Sequence, residues 1–470
     1  MNVVIVGSGF TGTMVGVHLA RRGRANITIV ERTGRFGAGV AYATPFAGHL
    51  LNVPAARMSA FPDVPDHFLR WAIRQRPDVR PESFLPRQWY SAYLAELLDD
   101  AKAAETSGRA IRRLDAEVVG LAPGDSTRWI VECVDGRRLP ADAVVLAIGT
   151  YPPANPPCAT PEFYETAFYR QDPWAADALT VDAEDDVLVL GTGLTMIDVA
   201  VALTDQGHRG RITCVSRRGL LPQWLRADAS APHAVPPPTR LAEWPRTARG
   251  LMTGLRREVH DREADGGNWR DAVVSLRSAT PALWQALPLD ERRRFLRHVR
   301  PYWDTHRHGV APAIGRIIDD LRRDGRLRVG AGRVIRYEAN GGSVEARVRW
   351  RGSDDVECVR VNRVVNCTGP DMDLTRVRSP LFQQLYRHGM ICPDPVGIGV
   401  VTDDEGCVVD QRGVAQAGLY LAGPLRRGHT WESLAVPELR EDVARLANHL
   451  TNFQESLRPL PTPRFNGPRP

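Results

Sequence analysis

The chain is poor in several features that would assign it at once. Of its 61 lysine and arginine residues only Lys102 is a lysine. The arginines are not gathered into tracts interleaved with aromatics, so the net charge of +6 reads as a compositional bias and does not indicate nucleic acid. No apolar run reaches the ~18 residues a membrane-spanning helix needs, so no membrane partner is expected. The seven cysteines (Cys133, Cys158, Cys214, Cys358, Cys367, Cys392 and Cys407) include no C-x-x-C pair. That spacing argues against a redox-active disulfide and a zinc site, and fits a reducing cytoplasm. The first strand begins at Asn2, so no leader segment is expected. What the chain has is 470 residues, enough for two or three domains, and 43% hydrophobic residues, enough for large cores.

Two glycine-rich turns stand out. Asn2-Val3-Val4-Ile5-Val6 reads as a buried parallel strand, and Gly7-Ser8-Gly9-Phe10-Thr11-Gly12 follows it. In this G-x-G-x-x-G pattern the first glycine allows the tight turn and the second lets a pyrophosphate approach the backbone. The third lets the helix, expected over residues 13–22, pack on the strand. That helix would point its N-terminal N–H groups at the phosphates. A second strand, Asn26-Ile27-Thr28-Ile29-Val30, ends in Glu31, placed to hold a ribose hydroxyl. The other turn, Gly191-Thr192-Gly193-Leu194-Thr195-Met196, sits between a strand over residues 186–190 and a helix over 197–206. Met196 takes the place of the third glycine. The next strand, residues 211–215, ends in Ser216-Arg217-Arg218 with no acid, which suits a 2′-phosphate and so NADPH. Two such turns imply an enzyme that passes electrons from a nicotinamide to a flavin.

The organisation follows from the strands. A loop-rich stretch over residues 35–65 precedes helices over 66–75 and 88–104. Residues 116–121 and 129–134 read as strands of a small antiparallel layer, and 143–149 as a return to the parallel sheet. The proline-rich stretch 152–161 reads as a crossing between domains. Residues 220–328 exceed a minimal dinucleotide-binding unit and read as a helical insertion over the cleft. Val364 to Gly369 reads as re-entry into the first sheet, and Gly418 to Gly423 as its last strand. The expected fold is therefore α/β, with two Rossmann-like dinucleotide-binding domains of the glutathione-reductase-like kind. The FAD-binding domain takes 1–184 and 363–453, and the NADPH-binding domain 185–362 with the insertion. Residues 454–470 are expected to be a disordered tail.

Beyond the glycine turns, Leu51-Asn52-Val53-Pro54-Ala55-Ala56-Arg57-Met58-Ser59, Pro86-Arg87-Gln88-Trp89-Tyr90 and residues 142–156 carry a family pattern. With Trp303 to His308 and Gly423-Pro424 through Trp431-Glu432, they make the chain resemble a bacterial FAD/NAD(P)-binding family with two dinucleotide-binding domains, related to flavin-dependent N-hydroxylating monooxygenases. Pro424 departs from the Asp that related flavoproteins often place on the flavin ribityl chain. The Baeyer–Villiger pattern F-x-G-x₃-H-x₃-W is absent: the stretch from Phe163 has neither its Gly nor its His.

The resemblance implies a cytoplasmic monooxygenase that uses FAD, NADPH and O₂ to hydroxylate the nitrogen of a small amine or amino acid through a flavin C4a-hydroperoxide. It adds Arg32, Asn52, Met58, Arg87, Val118, Gly149 and Gly423 to the FAD-binding residues of the first turn. Gly191, Gly193, Thr195, Arg217 and Arg218 are the expected NADPH residues. No catalytic side chain is singled out. His306, Arg307 and His308 are candidates for a substrate carboxylate, and an excess of arginine in the insertion favours an acidic substrate. His306-x-His308 lacks a third ligand, so no metal is expected. Two other classes stay open. One is a flavin oxidoreductase without oxygen insertion, and the other a flavoprotein whose nicotinamide site has decayed into a binding module.

Overall fold

The computed structural model describes residues 1–23, 25–103, 111–125, 127–226 and 235–456. The strand Asn2–Val6 sits inside a six-stranded sheet in the order Cys407–Val409, Ala415–Leu421, Ala143–Leu146, Asn2–Val6, Asn26–Glu31, Ile111–Asp115. All neighbours are parallel except the edge strand Cys407–Val409. Successive side chains of a strand point to opposite faces, so an unbroken apolar run supplies two cores. Val3, Ile5, Ile27 and Ile29 pack under the helices Phe10–Arg22, Arg87–Ala103 and Val436–Ser456. Val4, Val6 and Val30 pack on the other face against the antiparallel layer Val118–Pro123, Trp129–Cys133, Arg138–Ala141 and the helix Pro380–Arg387.

The second sheet has seven strands, in the order Val356–Val361, Ser343–Trp350, Leu327–Asn340, Ile212–Ser216, Val187–Leu190, Arg363–Asn366, Tyr169–Arg170. Here one expectation is corrected. Arg363–Asn366 does not re-enter the first sheet; it pairs in parallel with Val187–Leu190 and Tyr169–Arg170. Val364 faces one core of this sheet and Val365 the other, so the strand is apolar on both sides, as either parallel sheet would require.

Seven helical segments between Ala248 and Arg307 form the insertion: Ala248–Ala264, Trp269–Ser275, Arg277–Ala279, Thr280–Gln285, Leu289–Arg294, Phe295–Val299 and Arg300–Arg307. The next helix, Pro312–Arg323, was expected within it but is part of the second half: Ile314, Ile318 and Leu321 share a core with the helix Leu194–Asp205. The expected disordered tail is shortened as well. The helix Val436–Ser456 runs through its first three residues, and residues 457–470 lie outside the described residues. Among the described residues no helix is long and apolar enough to cross a membrane.

Candidate functional site

Both glycine turns lie at the carboxyl ends of parallel strands, where open α/β sheets present their crevices. Gly7 has φ +99°, and a Cβ on it would stand 2.4 Å from the Ala147 carbonyl oxygen. A Cβ on Gly12 would stand 1.9 Å from the Gly7 oxygen, so this helix can lie on its strand only as glycine. Gly9 is the N-cap of Phe10–Arg22 and offers no side-chain acceptor, so the first-turn N–H groups face outward without a side-chain partner. The helix starts three residues before the expected position, as the Leu194–Asp205 helix does after its own glycine N-cap, Gly193. Space is open at both caps: only the Gly39 Cα comes within 4 Å of a Cβ on Gly9, and nothing does at Gly193. Uncapped helix N-termini with room beside them fit a pyrophosphate at each turn.

Glu31 lies where its spacing placed it. Its buried carboxylate accepts the Ser8 N–H at 2.8 Å, the Thr33 N–H at 3.0 Å and the Thr33 hydroxyl at 2.9 Å. These bonds hold it in the crevice beside the turn with a lone pair remaining on Oε2. Gly423 (φ +94°) lies against Thr11, a Cβ there being 3.1 Å from Oγ1, and so joins the first turn. Phe10, Val118 and Met58 are buried, Asn52 is half-buried and Arg32 is exposed. Gly149 (φ +73°) follows the neighbouring strand with no atom within 4 Å of a Cβ.

Arg87 is occupied elsewhere. Its guanidinium forks onto Asp198 at 2.8 and 2.9 Å, and its Nε donates to the Leu50 carbonyl at 3.1 Å. His49 bonds the Asp198 carbonyl at 2.8 Å. Asp198 lies on the helix that follows the second turn, so Arg87 clamps the two halves together, a role its sequence context did not suggest.

At the second turn Gly191 has φ +110°, and a Cβ would meet the Cys367 carbonyl oxygen at 2.3 Å. Met196 is fully buried among apolar side chains of the second core. Hydroxyls replace the acid: Thr192 and Ser216 bond each other at 2.9 Å, and Thr192 donates to the Leu220 carbonyl at 2.6 Å. Arg217 is exposed, whereas Arg218 donates to the Tyr302 hydroxyl at 3.3 Å and the Arg297 carbonyl at 3.1 Å.

His306, Arg307 and His308 do not converge on one spot. Arg307 is 10% exposed and forks onto Glu432 at 3.2 Å and Glu438 at 2.9 Å. Arg277 also pairs with Glu438. Burial would raise Glu438, but the Arg277 hydrogen bond and the two guanidinium charges win and hold it below the usual carboxylate range. A substrate carboxylate would have to displace these anions, so the expected role of Arg307 is not supported. Burial, with Arg307 adding to it, pushes His308 down to about 4, so its ring is neutral. Only His306 borders open space. Its ring sits edge-on to Trp269, with centroids 5.1 Å apart, at the wall of an aromatic cavity of about 570 Å³ inside the insertion. The cavity was missed in the sequence, although Trp244, Trp269, Trp284 and Trp303 cluster there.

Comparison with known proteins bears on this geometry. Residues 4–151 match a family model described as FAD-NAD(P)-binding. This segment is an FAD/NAD(P)-binding domain. It holds the first turn, Glu31 and Gly149. A Baeyer–Villiger monooxygenase of Streptomyces coelicolor is 27% identical over 272 residues, 54% of this chain and 45% of that one. The match thus spans under half the length of that relative. Among solved structures, L-lysine 6-monooxygenase from Pseudomonas syringae superimposes with TM-score 0.65 and 16% identity over 96% of this chain and 99% of that one. The ornithine N-hydroxylase of Kutzneria sp. 744 does so with TM-score 0.60 and 17% identity over 97% and 99%. Beyond the FAD/NAD(P)-binding domain, the fold is that of the flavoproteins with two dinucleotide-binding domains.

Proposed function

We propose that the chain is an FAD- and NADPH-dependent monooxygenase that hydroxylates the nitrogen of a small amine. The observation that carries this reading is the pair of glycine-capped helices, each with free first-turn N–H groups, on two sheets clamped by Arg87 and Asp198. In this reading the first turn, Glu31 and Gly423 hold FAD, joined by Arg32, Asn52, Met58, Val118 and Gly149. Gly191, Gly193, Thr195 and Arg217 hold NADPH. Arg217 is the free cation for the 2′-phosphate, and Arg218 braces the insertion. The oxygen chemistry is supplied by FAD once NADPH has reduced it. The chain holds the two cofactors in register, and the insertion keeps water away.

Amine nitrogen is favoured because the N-hydroxylases align end to end with this chain and because the Baeyer–Villiger pattern is missing at Phe163. An acidic substrate loses its support, since Arg307 is paired. Carbonyl oxygenation is the second reading, favoured by the Streptomyces coelicolor relative. A panel of amines and ketones assayed for NADPH consumption and product decides. Hydroxylamines support the first reading, esters or lactones the second. NADPH-driven flavin reduction that stays uncoupled from both would leave the oxidoreductase without oxygen insertion.

A further inference from the structure

The cavity in the insertion plays no part in either glycine turn. At about 570 Å³ it falls within the ~300–1,000 Å³ of small-molecule sites, and it is far larger than the voids of a packed core. Its walls are mainly apolar and aromatic: Trp244, Trp269, Trp284, Tyr302, Trp303 and Trp431 all line it. No aspartate or glutamate lines it, and Arg256 is its one permanent cation.

Its position matters as much as its lining. Every lining residue but one comes from residues 223–306. The exception, Trp431, arrives on the segment that leaves the first sheet at Gly423, beside Thr11. Another lining residue, Tyr302, accepts from Arg218, which follows the strand Ile212–Ser216. The cavity is therefore walled by segments that emerge from both sheets. Trp431 is also, among the described residues, the one non-glycine residue with positive φ (59°). It is held there by stacking on Trp284 at 4.7 Å, the edge of Phe295 at 5.0 Å and the Arg427 guanidinium at 4.2 Å. Strain of that kind persists only where the surroundings over-determine it, as at functional sites.

We propose that this pocket holds the apolar body of the substrate, an alkyl or aryl group carrying an amine, with the nitrogen at the Trp431 wall. The proposal rests on the monooxygenase reading and names its substrate class. A wall without carboxylates gives an ammonium no counter-ion, so the amine enters unprotonated, with the lone pair that oxygen transfer to nitrogen requires.

The test is calorimetric titration of the FAD-loaded protein with n-butylamine through n-octylamine, with no turnover needed. Affinity is expected to rise about threefold to fourfold per added methylene. Leu251 and Leu283 line the cavity, and two filled variants, Leu251→Trp and Leu283→Trp, should bind n-octylamine at least tenfold more weakly and lose the chain-length slope. Their FAD content and their flavin bleaching by NADPH should match wild type. Affinity independent of chain length in the wild type would overturn the proposal, as would an undiminished slope in both variants with unchanged melting temperature. A clear slope without hydroxylamine formation would leave the pocket standing and remove the N-hydroxylation reading. Hydroxylamine from short amines with no slope would do the reverse.

Discussion

The two glycine turns share a backbone and differ in almost every side chain that surrounds it. Gly7 and Gly191 both have positive φ, +99° and +110°, and each has a carbonyl just past a neighbouring strand, Ala147 or Cys367, where a Cβ would go. The third position then diverges. At Gly12 the helix lies so close that any side chain would strike the Gly7 oxygen, whereas at Met196 the chain accommodates a full side chain in the core. The ribose position diverges as well: a buried carboxylate, Glu31, stands at the first turn and a neutral Thr192–Ser216 hydroxyl pair at the second. A carboxylate accepts ribose hydroxyls but repels a 2′-phosphate, whereas a neutral hydroxyl pair beside an exposed Arg217 does not repel one. The shared elements make each turn a phosphate site. In the proposed reading, the differing ones suit the first to FAD and the second to NADPH.

Seven substitutions would break or sharpen that contrast. The largest effect is expected from Gly12→Ala, which puts a methyl into the Gly7 carbonyl. The purified protein should carry no FAD and melt well below wild type, whereas Met196→Ala should keep its flavin at a core-truncation cost of about 2–5 kcal/mol. Equal loss of flavin in both would show that the third position is not the difference. Next is Arg87→Ala, which leaves Asp198 buried between the halves without its cation. A loss of about 3–5 kcal/mol in denaturant unfolding is expected, with smaller losses for any exposed arginine. Glu31→Gln should weaken FAD binding by about 1.5–3 kcal/mol, read as FAD released on dilution, because a neutral amide replaces the ionic acceptor of Ser8 and Thr33. Ser216→Ala should leave FAD untouched. The smallest effect separates two adjacent arginines: Arg217→Ala should raise KM for NADPH and not for NADH, by about 1.5–3 kcal/mol. Arg218→Ala should do much less, because Tyr302 and the Arg297 carbonyl already hold that side chain.

Much of this was legible in the sequence. The spacing of glycines, β-branched runs and Glu31 is local information, and the structure put each where the pattern placed it. Sheet membership was not legible. Arg363–Asn366 is apolar on both faces, a property it shares with every central parallel strand, so nothing local says which sheet it joins. The edge strand Ile111–Asp115 escaped because Arg112 and Arg113 interrupt its alternation. The hairpin turning at Gly341 and Gly342, φ 53° and 99°, followed a visible Asn-Gly-Gly signal that went unused. The partners of Arg87 and Arg307 are the hardest case. An arginine reads the same whether it awaits a ligand or pairs with an acid 111 or 131 residues away.

The division of labour between the turns is tested most directly by blocking each phosphate site in turn and reading the flavin itself. Gly9→Val should give a folded, colourless protein. Gly193→Val should give a yellow protein whose flavin is bleached by dithionite but no longer by NADPH. If Gly193→Val lost FAD, or if NADPH still bleached it at the wild-type rate, the assignment of the two turns to FAD and NADPH would be contradicted.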